Sequence, residues 1–496
     1  MTEGGVCFIA QSVICHRQML YSLRMNIFKR IFAIAIIAVL VGQGCTKGPT
    51  QEAKKLAEPV TLTIWSAIDD DDAYDQMMRN FRQSYPYASL VFKRYRLEEY
   101  EDQLLNALAE DRGPDIFMIH NTWVGKYLSK ISPQPPKVKV ARQVVTGNLK
   151  KEVTIEVQEI STISPTKLRN EFVDVVAADT IRKVDVADDP KHPDYQERIL
   201  GLPMSVDTLA LYYNKDLLNA AGIPNPPENW ADVQEQVRKL ALVSAEGNII
   251  RAGIGMGTGE NVERSPDIIS LLMMQNGAEM SDDRGYITFN QMPDSLRDTL
   301  EQPPAYGALR FYTDFANPGK NVYTWNADQP NSMDAFIRGT SAFFLGYHYQ
   351  LPTIRANAPK LNLGITSVPQ IQGTPEVNYA NYWLWTVSTK SDAPDLAWHF
   401  INYMTGEDGV KLYQEELPRP TARRSFIAEQ LEDPDLGVFA SQLLTAKSWY
   451  RGSDPEAMES AMMDLIETVP ADDRALRDSL KIAVEKVNQT VTDPLR

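Results

Sequence analysis

Cysteine is almost missing from this chain: 3 residues in 496, at positions 7, 15 and 45. No pair stands as CxxC, so neither a zinc ribbon nor a thioredoxin-type redox couple is encoded. Histidine is nearly as scarce. His16, His120, His192, His348 and His399 form no HExxH or other spaced pair, so no metal centre is expected. A GxSxG elbow is absent. The stretch "GIGMGTGEN" (Gly253 to Asn261) lacks both a Walker lysine and GxGxxG spacing, which leaves a strand end entering a turn and no nucleotide fingerprint. No cofactor is expected.

Positive charge is also in deficit. The formal net charge is −15, and the first 44 residues hold Arg17, Arg24, Lys29 and Arg30 against the single acid Glu3, so the remainder is more acidic still. Such a body repels nucleic acid and anionic lipid, and no nucleic-acid partner is expected. Long apolar runs are wanting too. "IFAIAIIAVLV" (Ile31 to Val41) rises about 16 Å as a helix, roughly half a bilayer core. Lys29 and Arg30 precede it and "GQGC" follows, the layout of a signal peptide over residues 1–44 with Met25 as the natural start. The residues before Met25 read as an over-extended reading frame or a long basic region. Cys45 then has no disulfide partner in the mature chain, and the pattern resembles a lipoprotein signal in which that cysteine carries the lipid; plain secretion is the alternative. Residues 45–59 read as a tether, and a monomer is expected.

What is present is globular. Apolar residues make up 43 % and charged ones 23 %, enough for a large core in two or three domains. "VTLTIWS", "SLVFKRY" and "DIFMI" read as strands separated by two amphipathic helices, the first with Tyr74, Met77, Met78, Phe81 and Tyr85 on one face. A β-α-β-α-β order predicts a parallel sheet covered on both sides. Ligands bind beyond the carboxyl ends of such strands. Those ends are "AIDDDD" and "HNTWVGKY". Residues 134–168 interrupt the rhythm with a proline-rich link and two period-two runs around Gly147-Asn148, an expected hairpin. Four consecutive acids (Asp69 to Asp72) cannot all face one ion and suit a helix start, with an early member free to reach a ligand.

Trp123, Trp325, Tyr347, Tyr349, Tyr382 and Trp383 lie in expected loops or at strand ends beside polar residues. Flat apolar rings with carboxylates and amides close by suit a sugar. Asp207 precedes the apolar run "TLALYY". As a carboxylate in an otherwise uncharged segment it reads as a solute acceptor or as a turn cap.

"GPDIFMIHNTW", "GLPMSVDTLALYYNKDLLNAAGIPNPPENWADV", "GTSAFFLGYHYQLPTI" and "NYWLWTVSTKSDAPDLAWHFINYMTG" together resemble family 1 extracellular solute-binding proteins, the maltose-binding-protein-like receptors of ABC importers. The resemblance implies an α/β, two-lobed periplasmic-binding-protein-like fold (type II), each lobe a mixed sheet flanked by helices, joined by a hinge of crossing strands. Lobe 1 is then residues 60–206 plus 368–424, and lobe 2 residues 207–367 plus 425–496. It also implies a lipid-anchored, extracytoplasmic receptor that captures a small polar solute, foremost a carbohydrate, and delivers it to a membrane permease without catalysis. Carried over by position, it nominates Asp207, Asp69 or Asp70, the lip His120, Asn121 and Trp123, the loop Tyr347, His348 and Tyr349, and Arg423 in "PRPTARRSF". A surface glycosidase or lyase, and an adhesion lipoprotein on the same fold, are the alternatives.

Overall fold

The computed structural model describes residues 50–146, 152–187, 191–282, 284–469 and 473–491. The signal segment, Cys45 and the Gly147-Asn148 turn lie outside the described residues. Residues 58–140 and 158–496 form one compact unit. The other unit holds 50–57 and 141–157. In place of an extended tether it contains a short helix, Gln51–Leu56, started by Thr50, whose hydroxyl accepts from the amide of Ala53 at 3.1 Å.

In the larger unit the expected β-α-β-α-β opening is present. Strands Val60–Ser66, Ala88–Arg94 and Ile116–His120 alternate with helices Asp72–Ser84 and Leu97–Ala109. The three strands are parallel, in the order Ile116–His120, Val60–Ser66, Ala88–Arg94, and Trp383–Val387 adds an antiparallel edge beside Ile116–His120. Tyr74, Met77, Met78 and Phe81 are all buried, so the 3.6-residue period read from the sequence is the face that packs. Lys137–Thr146 pairs with Glu152–Ser161 as the expected hairpin. A second hairpin, Ile181–Asp185 with Tyr195–Ile199, was not expected. Its charged faces carry no clean alternation of apolar and polar residues, which is the signal that strand assignment relies on.

A second sheet runs Leu242–Val243, Ile249–Ile254, Ser341–Gly346, Ala210–Asn214, Leu363–Ser367. Ser341–Gly346 is buried at every position, sandwiched between helices, and reads as the continuous apolar run "AFFLG". The expected strand end at Ile254 is observed. Among the described residues no helix is long and apolar enough to cross a membrane.

Each sheet organises its own apolar core. The first runs from Leu62 to Val206 and resumes from Ala380 to Ala446; the second runs from Leu209 to Tyr379 and resumes from Trp449 to Val487. A smaller third cluster joins Phe439 to Tyr212 and Phe344 of the second sheet. Between the two larger cores the chain changes over at Asp207–Thr208, Asn378–Asn381 and Ala446–Lys447. These stretches are the strands of a third sheet, with Ala380 opposite Thr208, Asn381 opposite Asp207, and Asn378 opposite Ala446.

The boundaries expected from the sequence were 206/207, 367/368 and 424/425. Val368 and Val377 stay in the second core because the Gln370 backbone bonds to Glu228 and Trp230. Ile427, Leu443 and Ala446 stay in the first, and Arg424 ties the same stretch back through the carbonyl of Phe172 at 2.7 Å. The middle of the first core is Trp398, fully buried, with its indole N–H on the carbonyl of Ser132 at 3.0 Å. Trp398→Ala should cost about 3–5 kcal/mol, read as a lower urea midpoint; a change below 1 kcal/mol contradicts this placement.

Candidate functional site

The carboxyl edge of the parallel sheet carries the aromatic side chains. Trp65 ends one strand, Tyr95 follows another, His120 ends the third, and Trp383 opens the antiparallel strand directly opposite His120. Their rings touch in series. Trp65 lies 4.6 Å from Tyr95, Tyr100 6.0 Å from Trp383, and Trp383 5.2 Å from Trp123, which stacks on Tyr127 at 5.9 Å. Trp123 and Trp383 are half-buried, so each keeps part of a ring face exposed. An apolar band of this kind suits the C–H face of a sugar ring.

The polar residues of this wall are held tightly. His120 uses both ring nitrogens, Nδ1 with Thr122 Oγ1 at 2.8 Å and Nε2 with Asn381 Oδ1 at 3.1 Å. Burial, reinforced by the Arg264 guanidinium, lowers its pKa to about 4, so it stays neutral. It fixes the passage strand rather than offering a free group. Asn121 donates to Asp179 at 3.1 Å, while its Oδ1 is buried without a partner. Asp179 also accepts from Tyr382 Oη at 2.8 Å, Ser448 Oγ at 2.5 Å and Arg451 Nη2 at 3.2 Å. That carboxylate joins the first core to the segment following the third passage. Gly125 reinforces the junction, since a Cβ there would sit 2.3 Å from the carbonyl oxygen of Gly452.

The opposing wall forms at one edge of the second sheet. Gly346 pairs with Ala210, which brings the Tyr347–Gln350 turn beside Asp207. Asp207 accepts from the amides of His348 and Tyr349, both at 3.0 Å, and from Thr208 at 2.8 Å. It is therefore a cap, as one of the two sequence readings held, but of the 348–350 turn. Burial raises its pKa to about 7 against the pull of these three amides. Tyr349 is 43 % exposed and stacks on Tyr347 at 5.7 Å with 14° between planes. Tyr347 itself is fully buried and donates to Asp267 at 2.7 Å. Arg264, in a left-handed conformation (φ 55°), forks onto both oxygens of Asp267 at 2.8 and 2.9 Å and reaches Glu459 at 2.9 Å. Its positive charge lowers the pKa of His120 and works against the rise that burial gives Tyr349.

Several nominated residues sit elsewhere. Trp325 is in the second core, fully buried, with its indole N–H on Asn261 Oδ1 at 3.1 Å; a loop position in sequence became packing because Asn261 satisfies the ring nitrogen. Tyr382 is buried, its hydroxyl spent on Asp179. His348 packs its ring against Phe439 at 5.2 Å, and Tyr349 is the exposed member of that loop. Arg423 is buried 4.8 Å from the Phe172 ring and pairs with Glu171 at 2.7 Å. Asp70 is exposed and pairs with Arg94. Asp69 is buried and accepts from Tyr74 and Tyr413, both at 2.9 Å, and from Arg419 at 2.8 Å. Asp71 takes the helix start without a side-chain cap bond. Sequence reasoning missed Asp179, Arg264, Asp267 and Arg419, whose only local signal is charge within apolar surroundings. Among the described residues no cluster of His, Cys, Asp and Glu could hold a metal ion.

Comparison with known proteins defines the class. Residues 170–411 match the model of the family described as bacterial extracellular solute-binding protein. The maltodextrin-binding protein MdxE of Bacillus subtilis is 24 % identical over 245 residues, 47 % of this chain and 53 % of its own. The chain spans between about a third and about a half of the length of the relatives it matches. Two solved structures share the fold. One is a cyclo/maltodextrin-binding protein complexed with maltotetraose (TM-score 0.62, 16 % identity, 88 % of this chain and 99 % of that one). The other is the GacH receptor of Streptomyces glaucescens (TM-score 0.59, 17 % identity, 86 % and 96 %). The fold is thus the type II periplasmic-binding-protein fold. Over residues 170–411 the chain is similar in sequence to the bacterial extracellular solute-binding proteins.

Two outcomes follow from this geometry. Because the folded pKa of Asp207 stands above the ordinary carboxylate value, the folded state binds the extra proton between pH 4 and 7. Its contribution is complete below pH 4 and is lost as pH rises through 7. The melting temperature of the wild type relative to Asp207→Asn should therefore fall over that window; a constant difference contradicts it. Tyr413→Phe, which removes one of three donors to Asp69, should cost about 1–3 kcal/mol in urea unfolding, and no loss would place Asp69 in contact with water.

Proposed function

We propose that this protein is an extracytoplasmic receptor that captures a small polar solute, a sugar or oligosaccharide, between its two lobes and hands it unaltered to an ABC-type membrane permease. One observation carries the reading. Partly exposed aromatics lie next to the passage strands from both cores: Trp123 and Trp383 beside His120, which bonds Asn381, and Tyr349, whose amide donates to Asp207. Aromatic planes beside fixed hydrogen-bonding groups are what a polyhydroxylated ring needs. Short passage strands between separately packed lobes allow a hinge to absorb the motion while each core stays intact. Solute must favour the closed arrangement, or closure does not follow. Asp179, Asp267 and Asp207 each accept three or more hydrogen bonds, which suits a scaffold for binding. MdxE and the structural relatives named for maltodextrin and acarbose ligands support the solute class. Lobe 1 is proposed as residues 60–206 plus 380–446, and lobe 2 as 209–379 plus 449–491. The reading includes lipid attachment at Cys45 and a monomeric receptor.

A thermal-shift screen over saccharides, polyols, sugar acids and peptides tests it, since a ligand that binds only the folded state raises its melting temperature. A neutral saccharide should stabilise the protein and be recovered chemically unchanged; turnover, or stabilisation by no member, contradicts the reading. Trp123→Ala should weaken that saccharide at least tenfold, as expected for loss of about 1.4 kcal/mol or more of ring contact. Full affinity would remove Trp123 from the site. Cys45→Ser should move the protein from the membrane to the soluble fraction of its host.

A further inference from the structure

The segment Leu417 to Arg424 runs beside the first passage and is unusually well fixed. Gln430 donates to the carbonyl of Arg419 and accepts from the amide of Thr421, both at 2.8 Å, and the amide of Val206 donates to the carbonyl of Pro420 at 3.1 Å. Pro418 and Pro420 flank Arg419, each with a locked φ, and the second biases Arg419 itself toward extended backbone. The side chain is anchored as firmly. Nη2 donates to Asp69 Oδ1 at 2.8 Å, and the other oxygen of Asp69 takes two tyrosine hydroxyls.

That anchor uses one edge of the guanidinium. Arginine has five N–H donors in a rigid fork. Among the described residues Nε and Nη1 of Arg419 make no hydrogen bond, and the side chain is 20 % exposed. Its charge acts on Asp207 and His348 of the opposing wall. The guanidinium is held by Asp69 of the first core, on a segment hydrogen-bonded to Val206, the residue before the first passage.

We propose that Arg419 is a solute-binding residue whose unshared guanidinium edge donates hydrogen bonds to the oxygens of a neutral, polyhydroxylated solute. The inference rests on the capture reading above and deepens it. Asp69 is 1 % exposed and offsets the positive charge from behind, so the pair offers donors while carrying no net charge. An anionic solute gains no ion pair there. A solute lacking the oxygen leaves desolvated N–H groups unpaired, which is the costly outcome and the source of selectivity.

The test uses isothermal titration of the full chain with maltotetraose, cellotetraose and trigalacturonate, comparing wild type with Arg419→Lys. Lysine keeps the charge beside Asp69 but has no second edge. The expected result is a loss of tenfold or more for the neutral sugar that binds, with the melting temperature nearly unchanged. Equal affinity in the variant overturns the proposal, and tighter binding of trigalacturonate than of both neutral sugars overturns its neutral-solute part. If no probe binds the wild type, the capture reading falls and takes this proposal with it. Should Arg419→Lys fail to fold, phenylglyoxal modification of the wild type followed by peptide mapping decides. Arg419 should be shielded by bound sugar, and unaltered reactivity refutes its contact.

Discussion

Hydrogen-bonded pairing among three short strands is the constraint on which the remaining structure depends. Asp207–Thr208, Asn378–Asn381 and Ala446–Lys447 are the places where the chain leaves one apolar core for the other. Each core buries its own sheet and helices, so packing energy is spent within lobes. The passages carry little apolar area and are held by polar groups instead. Asn381 illustrates this: its backbone pairs with Asp207 while its side chain receives His120. One residue thereby registers both walls of the site against the strand between them.

Three buried carboxylates perform related work around that sheet. Asp69 gathers Tyr74, Tyr413 and Arg419; Asp179 gathers Asn121, Tyr382, Ser448 and Arg451; Asp267 gathers Arg264 and Tyr347. A buried carboxylate is tolerable only when fully hydrogen-bonded. Each therefore imposes positions on two to four neighbours. Rigid placement of binding groups lowers the ordering cost of association. The aromatic wall is prepared in the same manner, ring upon ring from Trp65 to Tyr127, with exposure confined to the members at its rim.

Much of the fold was legible because period and burial coincide. "VTLTIWS" and "AYDQMMRNF" declare a strand and a helix through alternation and through Tyr74, Met77, Met78 and Phe81. The site was legible only as a neighbourhood. Sequence pointed to the carboxyl ends of the parallel strands, and His120, Asn121, Trp123 and Trp383 are there. It could not tell Asp69 from Asp70, since which neighbour turns inward depends on Tyr413 and Arg419, some 350 residues away in the chain. In "PRPTARRSF" it passed over Arg419 and nominated Arg423. The deciding partners, Asp69 for one and Glu171 for the other, come from distant segments. Trp325 looked like a loop aromatic because nothing local announces Asn261 as its partner.

The central claim is that two separately packed halves move together on a solute about these three strands. Pulsed electron resonance between spin labels at Glu98→Cys and Arg238→Cys, in a chain with its native cysteines replaced by serine, measures this directly. With the saccharide that stabilises the protein, the account predicts a shift of the distance distribution to shorter separation by several ångströms. An unchanged distribution with the saccharide bound would contradict it.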